Sequence, residues 1–125
     1  KGGCAAFRPD DKQLVTAGGD GNVKIWDVGS GECRTTLVGH ASGISSVAWS
    51  PDGQRIVTGA ADKTMKVWDP ENAREVLVLR GLMTYPSSLV YSHDSRLLVA
   101  WHGGTISFYD GTPWGQTPAP LPKVD

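Results

Sequence analysis

The feature that most restricts how this chain can fold is an internal repeat. Trp68-Asp69 stands 42 residues after Trp26-Asp27. Pro51-Asp52 and Gly81 stand the same distance after Pro9-Asp10 and Gly39. A step of 41 residues from Trp68-Asp69 reaches Tyr109-Asp110. Units of about forty residues are too short to bury a core alone, so they must stack on one another.

Each unit reads as short strands joined by tight turns. In the most complete copy, residues 46–50 place Val47 and Trp49 on one face, the alternation of a half-buried strand. Pro51-Asp52-Gly53 then predicts a turn, because proline presets φ and glycine allows φ > 0. Residues 55–60 form a second strand, Asp62-Lys63-Thr64 a polar connection, 65–68 a third strand and 75–79 a fourth. The first copy follows the same plan with strands at 4–7, 13–18, 23–26 and 33–38. The third has strands at 88–92, 96–101 and 105–109. Its first turn, His93-Asp94-Ser95, reads as shortened, and no fourth strand is legible after Asp110.

These Trp-Asp pairs, Pro-Asp turns and four-strand units resemble the WD-repeat (WD40) β-propeller family over residues 1–110. The resemblance implies an all-β fold. Three blades (about 1–40, 41–82 and 83–110) would form an open arc of a larger propeller. Residues 111–125 carry Pro113, Pro118, Pro120 and Pro122. Proline cannot donate to a sheet ladder, so these read as an extended tail. A ring closes with typically four to eight blades. A last blade without its own fourth strand therefore points to the C-terminal part of a longer propeller. The turns are similar to those of bacterial arrays. An open arc would leave Phe7 bare on one side and Leu98, Val99 and Phe108 bare on the other.

The sharpest polar constellation is His40, Thr58, Asp62 and Trp68. Family resemblance implies a hydrogen-bonded chain of these four that satisfies a buried indole, hydroxyl and imidazole. A His-Asp-hydroxyl set also invites a catalytic reading, but no oxyanion hole is suggested. Thr16, Asp20 and Trp26 hold the matching places in blade one. In blade three Leu82, Val99, Gly103 and Tyr109 replace the set. Removing all polar partners together strands none of them. Trp101, matched to Ala60, is expected to fill the vacated volume.

Net charge is −1 and the pI about 6.3, which makes no electrostatic case for nucleic acid or anionic membrane. No apolar run approaches the ~20 residues needed to span a bilayer. Cys4 and Cys33 fall on the first and fourth strands of one sheet. Strands ~4.8 Å apart place them beyond disulfide reach. Free thiols suit a reducing, cytoplasmic setting. No metal or cofactor motif appears: His93, Asp94 and His102 sit on turns at opposite ends, and Asp20-Gly21-Asn22 lacks the terminal Glu of a calcium loop.

The resemblance implies a non-catalytic scaffold that binds proteins or peptides on one propeller face. There the matching positions are Gly43 and Ser45 in blade two, and Tyr85, Ser87 and His102 in blade three. Tyr85 is the expected anchor, since exposed aromatics are enriched at hot spots. The alternative is a C-terminal sensor propeller of a bacterial signalling enzyme, such as a serine/threonine protein kinase or an NTPase. The remaining upstream blades would be further partners.

Overall fold

The computed structural model describes residues 3–80, 82 and 85–110. The proline-rich segment 111–125 and the closing Gly81 lie outside them. The described residues form three antiparallel sheets. The first holds β1 (Cys4–Phe7), β2 (Gln13–Ala17), β3 (Asn22–Asp27) and β4 (Cys33–Val38) in sequence order. The second holds β5 (Ile44–Trp49), β6 (Ile56–Ala60), β7 (Met65–Asp69) and β8 (Arg74–Leu79). The third holds β9 (Ser88–Tyr91), β10 (Leu97–His102) and β11 (Thr105–Asp110). Strand β5 lies beside both β1 and β9, so the first strands of the blades are neighbours. No helix among the described residues is long and apolar enough to cross a membrane.

One turn device recurs throughout. In most turns an Asp carboxylate accepts a backbone N–H two or three residues on, a local bond that nucleates the reversal. Asp10, Asp52 and Asp94 do this for Lys12, Gln54 and Arg96 in the first turns. Asp20 and Asp62 do it for Asn22 and Thr64 in the second turns. The Asp of each Trp-Asp pair serves the third turns: Asp27 accepts from Ser30 N, and Asp69 from Glu71 N. The repeated aspartates are therefore turn formers.

The core lies between sheets. Val15, Val23, Ile25 and Leu37 of blade one meet Ile44, Trp49, Ile56 and Trp68 of blade two. Val57 and Met65, on the opposite face of blade two, meet Leu82, Leu89, Leu98 and Ala100. Strand β6 is thus buried along its whole length, whereas β2 and β10 alternate. Phe7 is exposed on the open side of blade one, and Val90 and Trp101 on blade three.

Blade three corrects the sequence reading in three linked ways. Its first turn is not shortened: Ser92 N bonds Leu97 O as Ser50 N bonds Arg55 O. The missing residue comes out of the second turn instead. Gly103 and Gly104 bridge β10 and β11 with φ of 58° and 81°, the two-residue hairpin that glycines favour. Glycine makes the reversal without an aspartate, so Asp62 has no counterpart. The strand register therefore shifts by one. Tyr109 pairs with Leu98 as Trp68 pairs with Ile56, which puts Ala100, not Val99, in the place of Thr58. Trp101 matches Gly59, not Ala60, and is half exposed, so it fills no vacated volume. Leu98 is buried against blade two, because a period of two sends neighbouring residues to opposite faces.

Candidate functional site

The polar chain forms between blades one and two. Trp68 Nε1–H donates to Thr58 Oγ1 at 2.9 Å. Thr58 Oγ1 also lies 2.6 Å from His40 Nε2. The hydroxyl accepts from the indole and shares a second hydrogen bond with Nε2, whose direction is set by the imidazole tautomer; the other ring nitrogen is Nδ1. That atom is buried and stands 3.8 Å from Asp62 Oδ2, outside hydrogen-bond distance. Asp62 instead accepts from Thr64 N at 3.0 Å and from Thr64 Oγ1 at 2.5 Å. Three of the four residues are therefore linked, and the fourth holds the adjacent turn. Beside them the Lys66 ammonium pairs with Glu75 at 2.8 Å. Thr58 is fully buried and its hydroxyl is committed on both sides, which leaves no path for a substrate to that oxygen. In blade one, Trp26 donates to Thr16 at 2.9 Å, but this pair is only half buried. No cluster of three His, Cys, Asp or Glu placed to hold a metal occurs among the described residues.

Burial, the largest influence, holds the His40 imidazole below its ordinary 6.5, against the opposing pull of Asp62. Partial burial opposes the Asp62 shift, but bonds from Thr64 and the nearby His40 outweigh it and keep the carboxyl below 3.8. Both shifts have the same sign for stability. The unfolded chain takes up the His40 proton near 6.5 while the folded chain resists it, so stability falls as pH drops below that value. Asp62 stabilises above its unfolded value, and that contribution is lost as pH falls through the lower folded one. The melting temperature should therefore decline from pH 7 to pH 5, and His40→Asn should flatten that decline. An unchanged slope in the variant would assign the acid sensitivity elsewhere.

A second constellation forms where the chain enters blade three. The Pro86 carbonyl accepts from Ser45 Oγ at 2.5 Å and from Ser46 Oγ at 3.2 Å. Ser45 Oγ also reaches Gly59 O at 3.2 Å. Ser87 N bonds Trp101 O at 2.8 Å. The buried Pro86 ring sits against Gly59, where a Cβ would lie 2.3 Å from Pro86 Cγ. Tyr85, beside this anchored proline, is 51% exposed. Gly43 is wedged against Gly19 and accepts at its carbonyl from Ala61 N. Of the five expected partner-contacting residues, Tyr85 and Ser87 are exposed, Ser45 is half-buried and holds the Pro86 carbonyl, and Gly43 packs on Gly19. His102 is 3% exposed, and its Nε2 lies 2.8 Å from Ser107 Oγ. It shares the inward parity of Leu98 and Ala100, so its ring is buried on that face of the sheet. Sequence reasoning missed the Gly59–Pro86 contact. A visible signal exists, since glycine inside a β-branched strand often marks close approach of another segment.

Comparison with known proteins decides the family. The model described as "WD domain, G-beta repeat" matches residues 3–27 and 31–69, half of the chain. The chain belongs to the WD-repeat family. Those residues span blade one and the first three strands of blade two; blade three lies outside them. The chain is similar to Protein Notchless of Drosophila melanogaster, 39% identical over 41 residues, which is 33% of this chain and 8% of that protein. It is similar to Protein tipD of Dictyostelium discoideum, 46% identical over 46 residues (37% of this chain, 8% of that protein). It is 37% identical over 46 residues to the pre-mRNA-splicing factor PRP46 of Saccharomyces cerevisiae (36% of this chain, 10% of that protein). This WD-repeat chain therefore spans no more than a tenth of these relatives. All three are eukaryotic and lend no support to a bacterial-type array. WD-repeat domains are generally non-catalytic and bind proteins.

Proposed function

We propose that this WD-repeat chain is part of a closed propeller and binds an extended segment of a partner protein, with Tyr85 as anchor. The observation that carries this reading is the anchored connection into blade three. An aromatic side chain half exposed on an immobilised backbone loses little entropy on contact, which favours a hot spot. Ser87 stands beside it with its hydroxyl on the Trp101 carbonyl, while Ser45 holds the Pro86 carbonyl. Membership of a longer ring is supported by the exposed apolar residues on the outer faces of blades one and three. The free thiols of Cys4 and Cys33 support a reducing, cytoplasmic setting.

Tyr85→Ala should reduce recovery of co-purifying proteins from cells about tenfold, the effect of losing one hot-spot side chain. The melting temperature should stay close to that of the parent. Equal recovery by the variant would move the site to other blades or to the opposite end of the sheets.

A further inference from the structure

The opposite end of the sheets carries a second site. The first turns of blades one and two and the third turn of blade two enclose a groove of about 490 Å³. Arg8, Arg34 and Arg55 line it, together with Asp69 and Glu71. Two further hollows, of about 520 and 450 Å³, are also bordered by Arg8. We propose that this groove binds an acidic peptide segment, with a single carboxylate side chain held by Arg34 and Arg55.

The charges divide into committed and uncommitted groups. Arg8 is held by Asp10 through two bonds, Nε to Oδ1 at 2.9 Å and Nη2 to Oδ2 at 2.7 Å. Its guanidinium also lies 6.0 Å from the centre of the Trp49 ring, which immobilises it as a wall. Asp69 accepts from Asn72 Nδ2 at 2.8 Å and stands 4.0 Å from Arg74 Nε. Arg55 donates to the Gln54 carbonyl, a bond that orients it, and its charge also acts on the Asp69 carboxylate. Arg34 is exposed and makes no hydrogen bond or ion pair among the described residues. With the Arg8–Asp10 pair set aside, Arg34, Arg55 and Arg74 stand against Asp69 and Glu71, a net charge of +1. The resulting single positive charge matches one carboxylate better than a doubly charged phosphoryl group. The chain as a whole is at −1, so this attraction is local and not a property of the surface at large. Guanidinium forks suit carboxylates, since two parallel N–H donors meet two oxygens. The groove's size lies within the ordinary range for a site that encloses a few side chains, ~300–1,000 Å³.

The test is fluorescence anisotropy of a labelled hexaglutamate peptide on the intact protein at low salt. Arg34→Gln should weaken binding about fivefold to tenfold, because one charge-assisted contact is lost. Glu71→Gln should strengthen it about twofold to fivefold, because an opposing charge is removed. Lys63→Gln, on a turn at the other end of the sheets, should change nothing. Arg34 is exposed and holds no hydrogen bond or ion pair among the described residues, so its substitution should leave the fold intact. Absence of hexaglutamate binding, an Arg34→Gln variant that binds as the parent does, or an equal loss in Lys63→Gln would overturn the proposal. Displacement of the peptide by equimolar inorganic phosphate would also overturn it, by showing a site for free anions.

Discussion

Trp68→Ala should destabilise the protein by ~3–5 kcal/mol, the range for removing a fully buried large aromatic. Trp68 is 2% exposed and closes the apolar cluster between blades one and two. A Cβ on Gly39 would lie 3.0 Å from its Cη2, so the ring packs directly on the backbone that leaves blade one. His40 meets it edge-on, with ring centres 6.1 Å apart. Alanine would leave a cavity on a surface that two sheets share, and the sheets cannot close it without losing their own register. The matching Trp26 is only half buried, so Trp26→Ala should cost clearly less in the same urea titration of this chain. Equal midpoints for the two variants would mean that the interface between blades is not where the stability lies.

Thr58→Val should cost ~2–4 kcal/mol although it keeps the side chain's shape, because two buried groups lose their partner at once. The Trp68 indole N–H and the His40 Nε2 both depend on that hydroxyl. The same change at Thr16 breaks one half-exposed bond, to Trp26, and should cost about 1 kcal/mol or less. Chemical denaturation of both variants reads the difference. If Thr58→Val were no more harmful than Thr16→Val, the hydroxyl would be a spectator and shape alone would hold the interface.

Much of this architecture was legible because turns and strands are local. Alternation placed β1, β4, β7 and β9 to within a residue, and the aspartates that start the turns are visible as a repeating pattern. The hydrogen-bonded trio of His40, Thr58 and Trp68 was legible through the family resemblance. Its fourth member, Asp62, stands at the right place in the chain: its Oδ1 accepts both bonds from Thr64, and its Oδ2 faces His40 Nδ1 at 3.8 Å, beyond hydrogen-bond distance. The shift of register in blade three was harder to see. A one-residue loss can be placed in either turn by spacing alone, and only strand pairing shows that Gly103-Gly104 absorbed it.

The sequence by itself determined the repeat and the strand positions, because each follows from a period or a turn residue within one unit, and the family resemblance added the interlocking Trp and Thr. Tertiary structure decided which face each blade-three residue presents, why His102 is buried, and how Pro86 seats on Gly59. It also brought Arg8, Arg34 and Arg55 around one groove. These depend on contacts between units far apart in the chain. No local propensity encodes them; they appear only when one sheet is laid against the next.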